Sequence, residues 1–140
     1  DKILFHFNGN VKDFVFGLWG LSYKPKTDDL REAPSIALVE SLIELGAKIK
    51  AYDPVAMENF KKLYSDQSNL SFCRHKDQAL EGSDALIIAT EWKAFWSPDF
   101  SCVFLDKPWI NSSAIRLVAP ITLVERTALS VDIRINLSTF

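Results

Sequence analysis

The chain has 140 residues, of which 48% are hydrophobic and 24% are charged, and its formal net charge is −2. These values are typical of one soluble globular domain. They give no bulk electrostatic reason to expect nucleic acid or an anionic membrane as a partner, so any anion site must be local.

Strand and helix patterns alternate along the chain. The aromatic run "FVFGLWGLSY" predicts a buried first strand that ends at Gly20. A helix is predicted from Pro34, which is tolerated in a first turn, to a stop at Gly46. The later predictions are a strand at "AKIKAYDP", a helix at "VAMENFKKLY", a strand at "LSFCRH", a brief helix at "DQALEGS" and a buried strand at "ALIIAT".

This alternation predicts a single α/β domain with a Rossmann-like open parallel sheet and helices on both faces. Ligands of such sheets bind outside the carboxyl ends of the strands. The segment "GLSYKPKTDDLREAPS" leaves the carboxyl end of the first strand. We therefore expect this loop to carry the binding site.

The loop has a chemistry of its own. Lys24 can meet a phosphate as a point charge, and Tyr23 offers a flat ring and a hydroxyl to a base or a sugar. Asp28 and Asp29 would repel a phosphate placed against them, so we expect them to cap the following helix, with Arg31 paired to Asp28. Alternatively, the lysines of the loop are only solvated. The dinucleotide fingerprint G-x-G-x-x-G is absent.

Other chemistry has little support in the sequence. The cysteines Cys73 and Cys102 lie in no metal-ligand pattern, and the histidines His6 and His75 are far apart in the sequence. No metal site is therefore predicted. The cysteines are expected to be reduced structural thiols of a cytoplasmic protein. No signal peptide or membrane-spanning run is apparent, and the initial Asp1 suggests a fragment boundary.

Three segments resemble a known family. They are "GLSYKPKTDDLREAPSIALVESLIELGAKIKAYDP", "YDPVAMENFKKLYSD" and "ALEGSDALIIATEWKAFWSPDF". In this order and spacing they resemble the carboxy-terminal UDP-binding domain of bacterial UDP-glucose 6-dehydrogenases. The resemblance covers residues 1–100, which we take as the UDP-binding domain, and leaves 101–140 as a divergent tail.

The resemblance implies a function for the complete enzyme. That family oxidises UDP-glucose to UDP-glucuronate with two molecules of NAD, which an amino-terminal Rossmann domain binds, and it serves polysaccharide biosynthesis. The family's Phe-Lys pair that contacts the nucleotide sugar falls on Tyr23 and Lys24. The implied partners are UDP or UDP-glucose, together with a second copy of the chain or the amino-terminal dehydrogenase part.

Three family features have no match in this chain. The glycine-rich segment with the nucleophilic cysteine is missing, as is the NAD loop, so the chain alone is predicted to be inactive, with no catalytic residue and no bound cofactor. Asp53, Asp84 and Glu91 are expected to have strand-end or capping roles. The arginine segment that reaches the nucleotide is also missing, and Arg116 is a weak substitute.

The tail leaves several hypotheses open. "PWI" and "SVDIRINL" are candidate strands, and residues 101–140 are either read in a shifted frame or replace a deleted end. The apolar residues of the tail must pack on the sheet or form an association surface; they are Ile115, Leu117, Val118, Ile121, Leu123 and Val124. The chain as a whole is a UDP-sugar-binding fragment, a module that associates with an intact dehydrogenase, or a remnant without a ligand.

Overall fold

The computed structural model of the chain describes residues 2–95 and 122–125. It contains three α-helices, five β-strands and two 3₁₀ turns within these residues. The helices are α1 (Lys2–His6), α2 (Pro34–Glu44) and α3 (Met57–Leu63). The strands are β1 (Val15–Trp19), β2 (Lys48–Tyr52), β3 (Leu70–Phe72), β4 (Ala85–Ile88) and β5 (Thr122–Glu125), and the 3₁₀ turns are Asp77–Ala79 and Lys93–Phe95.

The strands form one sheet with the order β3-β2-β1-β4-β5. β1 pairs in parallel with both β2 and β4, and β2 pairs in parallel with β3. The predicted α/β class with an open parallel sheet is confirmed. The chain crosses from β3, at one edge, to β4 on the other side of β1, so the strand order reverses at β1.

The two faces of the sheet are covered differently. Phe16 and Leu18 of β1 belong to a core cluster that also contains buried residues of α2 and α3. Trp19 belongs to a second cluster, where Leu80 and Phe95 come from the 3₁₀ turns and their flanks. A β-strand points successive side chains to opposite faces, so the α-helices α2 and α3 cover one face and the two 3₁₀ turns pack on the other. The predicted brief helix at "DQALEGS" is therefore one 3₁₀ turn.

Gly17 allows one of the 3₁₀ turns to pack closely against the sheet. A Cβ atom added at this residue would lie 2.7 Å from the backbone oxygen of Ala79. This is shorter than a real Cβ contact can be, so glycine is required for the 3₁₀ turn Asp77–Ala79 to pack directly on β1.

Helix α2 follows its predicted pattern. It begins at Pro34 and buries Ser35, Val39 and Leu42, while Gly46 adopts φ +81° just after the helix ends. The apolar stripe faces the core because residues three and four apart share one helix face. The predicted helix start and glycine stop are both confirmed.

One strand comes from the tail. The β5 backbone pairs antiparallel with β4, and Leu123 and Val124 lie opposite Ile87 and Leu86. β5 thereby covers the edge that β4 would otherwise present. The candidate strands "PWI" and "SVDIRINL" lie outside the described residues, as do Ile115, Leu117, Val118 and Ile121.

Candidate nucleotide-binding loop

The segment 20–33 leaves the sheet at the carboxyl end of β1, beside the reversal in strand order. Tyr23 and Lys24 lie next to one another on this loop and both are exposed, Tyr23 by 58% of its surface. Neither side chain forms a hydrogen bond with another described residue. Both predicted contact residues are thus exposed to solvent at the edge where ligands of such sheets bind.

Asp53 holds the start of this loop from the end of β2. Its Oδ2 atom accepts a hydrogen bond from the Leu21 N–H at 2.8 Å and a longer one from the Ser22 N–H at 3.5 Å. Its Oδ1 atom accepts bonds from the Val55 and Ala56 N–H groups, both at 2.8 Å. The side chain is buried, and these donors compensate the loss of water around the carboxylate. Asp53 therefore has a structural role, as expected.

The hydrogen bonds of Asp53 occupy the carboxylate that could otherwise bind the ribose of NAD. In dinucleotide-binding sheets an acidic residue after the second strand bonds the ribose, and glycines of the first loop cradle the pyrophosphate. Here both oxygens of Asp53 face inward to backbone N–H groups, and Gly17 packs against Ala79. Gly20 packs against Thr90. The described residues do not fit a dinucleotide.

Buried hydroxyl groups hold the carbonyl groups of the same loop. The Thr90 Oγ1–H donates to the Ser22 carbonyl at 2.6 Å, and the Ser22 Oγ–H donates to the Lys24 carbonyl at 2.9 Å. The Ser35 hydroxyl, from the first turn of α2, donates to the Leu21 carbonyl. These three residues were not among the predicted site residues. The available signal was the polar Thr90 directly after the apolar run "ALIIA".

The acidic part of the loop is arranged differently from the prediction. Arg31 pairs with Asp29, not with Asp28: its Nε lies 3.0 Å from Oδ1 and its Nη2 lies 2.7 Å from Oδ2. Asp28 instead accepts a bond from the Asn59 side chain at 2.9 Å. The predicted Arg31–Asp28 pair is wrong because the Asp29 carboxylate also accepts the Arg31 backbone N–H at 3.0 Å, which fixes both residues in one turn.

The expected capping role of these carboxylates is also wrong. The N-cap residue of α2 is Ala33, and no side chain bonds the free N–H groups of that first turn. The turn at residues 30–32 separates Asp28 and Asp29 from the helix, and Pro34 already removes one N–H donor. The aspartates therefore shape the loop itself, and the Asp29 carbonyl accepts the Tyr23 N–H at 3.0 Å.

The Arg31–Asp29 pair also changes the electrostatics near Lys24. Hydrogen bonds from Arg31 lower the pKa of Asp29 to about 2, and the charge of Lys24 adds to this effect. Arg31 offsets the negative charge that the sequence places beside Lys24. The repulsion that a phosphate would meet at this loop is correspondingly smaller.

The remaining candidate residues show no catalytic arrangement. Burial raises the pKa of the Cys73 thiol, the opposite of what a nucleophilic thiolate needs. Asp84 accepts the Val15 N–H at 2.9 Å, and Glu91 is exposed. Among residues 2–95 and 122–125, no three His, Cys, Asp or Glu side chains converge as metal ligands would. Cys102 and Arg116 lie outside the described residues.

None of the helices within residues 2–95 is both long and apolar enough to cross a membrane.

An open parallel sheet with a hydrogen-bonded loop at its strand-order reversal defines an α/β domain of the nucleotide-binding type. Residues 17–116 match the model of the UDP-glucose/GDP-mannose dehydrogenase family, UDP binding domain. The chain belongs to this family. The match extends past Phe100, where the resemblance of the motifs ends.

Individual relatives agree with this assignment. The UDP-glucose 6-dehydrogenase of Pseudomonas aeruginosa is 43% identical over 97 residues, which are 67% of this chain and 21% of that protein. The UDP-glucose 6-dehydrogenase of Rhizobium meliloti is 38% identical over 99 residues, 71% of this chain and 22% of that protein. The chain thus spans about a fifth of the length of these relatives.

A solved structure shares the fold. The UDP-glucose dehydrogenase from the hyperthermophilic archaeon Pyrobaculum islandicum superposes with a TM-score of 0.64 at 29% sequence identity. The superposition covers 71% of this chain and 22% of that one. The resemblance of the three sequence motifs to this family is confirmed.

Proposed function

We propose that this chain is the UDP- and UDP-glucose-binding domain of a UDP-glucose 6-dehydrogenase. The observation that carries the proposal is the exposed pair Tyr23–Lys24 on a loop whose backbone is held from three sides. Membership of a family named for UDP binding supports it. Lys24 contacts a phosphate or sugar oxygen of the ligand, and the ring of Tyr23 lies against the nucleotide sugar.

The activity belongs to the complete enzyme in this proposal. There, NAD bound by a separate domain oxidises UDP-glucose to UDP-glucuronate, which supplies polysaccharide biosynthesis in the cytoplasm. Residues 1–100 are the UDP-binding domain and 101–140 the divergent tail. The chain alone binds ligand without turnover, since its described cysteine, Cys73, is buried and its thiol pKa is raised.

Calorimetric titration with UDP and with UDP-glucose tests the proposal. We expect Lys24→Ala to weaken binding about tenfold, because a charge-assisted hydrogen bond to an anion is lost. Tyr23→Phe should bind like the original chain because it keeps the ring, whereas Tyr23→Ala should bind more weakly.

Lys48→Ala is the matched control. Lys48 is exposed at the start of β2, at the opposite edge of the sheet, so this variant removes the same charge without touching the loop. Absence of heat with the folded original chain would contradict the proposal and favour the remnant without a ligand. A loss for Lys48→Ala equal to that for Lys24→Ala would show that only net charge matters.

A further inference from the structure

The buried polar side chains of the described residues share one target. They are Ser22, Ser35, Asp53 and Thr90, each at most 3% exposed. All four bond backbone groups between Leu21 and Lys24. Burying a polar group is unfavourable unless it is hydrogen-bonded, and each of these four side chains has a hydrogen-bond partner on residues 21–24.

Two of these side chains form a continuous path to the proposed contact residue. Thr90 follows β4, and its hydroxyl donates to the Ser22 carbonyl at 2.6 Å. The Ser22 hydroxyl then donates to the Lys24 carbonyl at 2.9 Å. The path therefore connects the end of a central strand of the sheet to the backbone of Lys24.

We propose that Thr90 and Ser22 are positioning residues for the nucleotide ligand, acting through this relay of two hydrogen bonds on the main chain of Lys24. The inference rests on the proposed function of the Tyr23–Lys24 pair and names two residues that act through it. Neither relay side chain has an exposed surface with which to touch a ligand, since Ser22 is 0% and Thr90 3% exposed. Their effect on binding is indirect.

The physical basis is preorganisation of an exposed loop. Lys24 is followed by Pro25 and by Lys26, which adopts φ +65°. A loop that had to adopt this backbone on binding would lose conformational entropy at that step and reduce the affinity. The relay holds the backbone in place before the ligand arrives, while the Lys24 side chain stays free to reach it.

The test uses variants of the whole chain, each of which removes or keeps one hydroxyl group of the relay. Thr90→Val keeps the shape and removes the hydroxyl, Thr90→Ser keeps the hydroxyl, and Ser22→Ala removes the second donor. Ser83→Ala is the matched control, because the Ser83 hydroxyl also donates to a backbone carbonyl, that of Ala79, at 2.7 Å. Ser83 lies just before β4, at the other end of that strand.

Two readouts are measured for each variant. Calorimetry with UDP gives the affinity, and we expect it to be about five- to tenfold weaker for Thr90→Val and Ser22→Ala and unchanged for Thr90→Ser and Ser83→Ala. Hydrogen exchange of the Tyr23 amide, which donates to the Asp29 carbonyl, reports the loop without ligand. It should become faster in Thr90→Val and Ser22→Ala while the amides of β1 keep their protection.

A double variant separates positioning from a general loss of stability. If the relay acts through Lys24, adding Ser22→Ala to Lys24→Ala weakens UDP binding little further, whereas an independent structural effect would multiply with it. The proposal is overturned if Thr90→Val and Ser22→Ala bind UDP as tightly as Ser83→Ala. It is also overturned if neither variant folds, since the hydroxyls would then be folding requirements.

The outcome separates this inference from the proposed function. If Lys24→Ala weakens binding and the relay variants do not, the relay alone is wrong. If the original chain binds no UDP, the proposed function is wrong and so is the role of the relay in binding. Exchange of the Tyr23 amide then decides whether the relay orders the loop.

Discussion

An aspartate accepts a backbone N–H group at each end of β1, but the two aspartates differ in their burial and in their partners. At the amino end, Asp84 accepts the Val15 N–H and is partly buried. At the carboxyl end, Asp53 is buried and accepts N–H groups from both the β1 loop and the turn after β2. Asp84 therefore bonds the first residue of β1, whereas Asp53 links the loop after β1 to the turn after β2.

The difference extends to the connections at each edge. At the amino edge, α2 is followed within a few residues by β2, through Gly46. At the carboxyl edge, residues 20–33 form a long loop with buried hydroxyl and carboxylate partners. Loops carry function when a rigid scaffold positions them. The polar groups of the core are thus concentrated at the edge that we propose binds the ligand.

The largest expected effect comes from Asp53→Asn. An amide offers one acceptor oxygen, and its NH₂ group would face N–H donors that now bond a carboxylate. We expect a loss of about 3–5 kcal/mol in the free energy of unfolding, measured by urea denaturation. Asp84→Asn, at the other end of β1, is the comparison and should lose only about 1 kcal/mol. Equal losses of stability in Asp53→Asn and Asp84→Asn would show that the two aspartates contribute alike.

Gly20→Ala should have the second largest effect. Gly20 adopts φ +88°, and an added Cβ would lie 2.5 Å from the Thr90 Cβ and 2.6 Å from its backbone N. Backbone strain and overlap together should reduce the free energy of unfolding by about 2–3 kcal/mol in the same urea experiment.

Gly82→Ala is the control for Gly20→Ala. Gly82 also has a positive φ, +67°, but nothing lies within 4 Å of an added Cβ. Only the backbone strain remains, and the expected loss is about 1 kcal/mol. If Gly82→Ala were as destabilising as Gly20→Ala, the close packing of Gly20 on Thr90 would not matter.

The smallest effect is expected on the exposed Arg31–Asp29 pair. Arg31→Ala should return the pKa of Asp29 from about 2 part of the way towards 3.8, because the side-chain hydrogen bonds from Arg31 are lost while the bond from the backbone N–H is kept. Since the pKa is lowered in the folded chain, the stabilisation is present above pH 3.8 and is lost as the pH falls through about 2. Titration of the Asp29 carboxyl by NMR measures the shift. Lys61→Ala, which removes the partner of Glu58, should leave Asp29 unchanged.

Much of the fold was predictable because its signals are local in the sequence. The period of the apolar residues defines α2, and Pro34 and Gly46 mark its limits. The continuous apolar run that contains β4 predicts a buried strand. The loop after β1 could be assigned to the carboxyl edge because the order of strands and helices implies a parallel sheet.

Other features were not predictable, because they depend on residues far apart in the chain. Asp28 lies on the same loop as Arg31 but bonds Asn59, which belongs to α3. β5 pairs with β4 from within a tail whose apolar residues alone do not indicate a partner. The bond from Thr90 to Ser22 joins two residues separated by 68 positions.

The family, the open parallel sheet and the position of Tyr23 and Lys24 after its first strand can be predicted from periodicity, turn residues and motifs, because these are local patterns along the chain. Which groups hold that loop depends on the tertiary structure. Hydrogen bonds are short and directional, so the partners of Asp53, Ser22 and Thr90 follow only from the distances that the packed sheet sets between its strand ends.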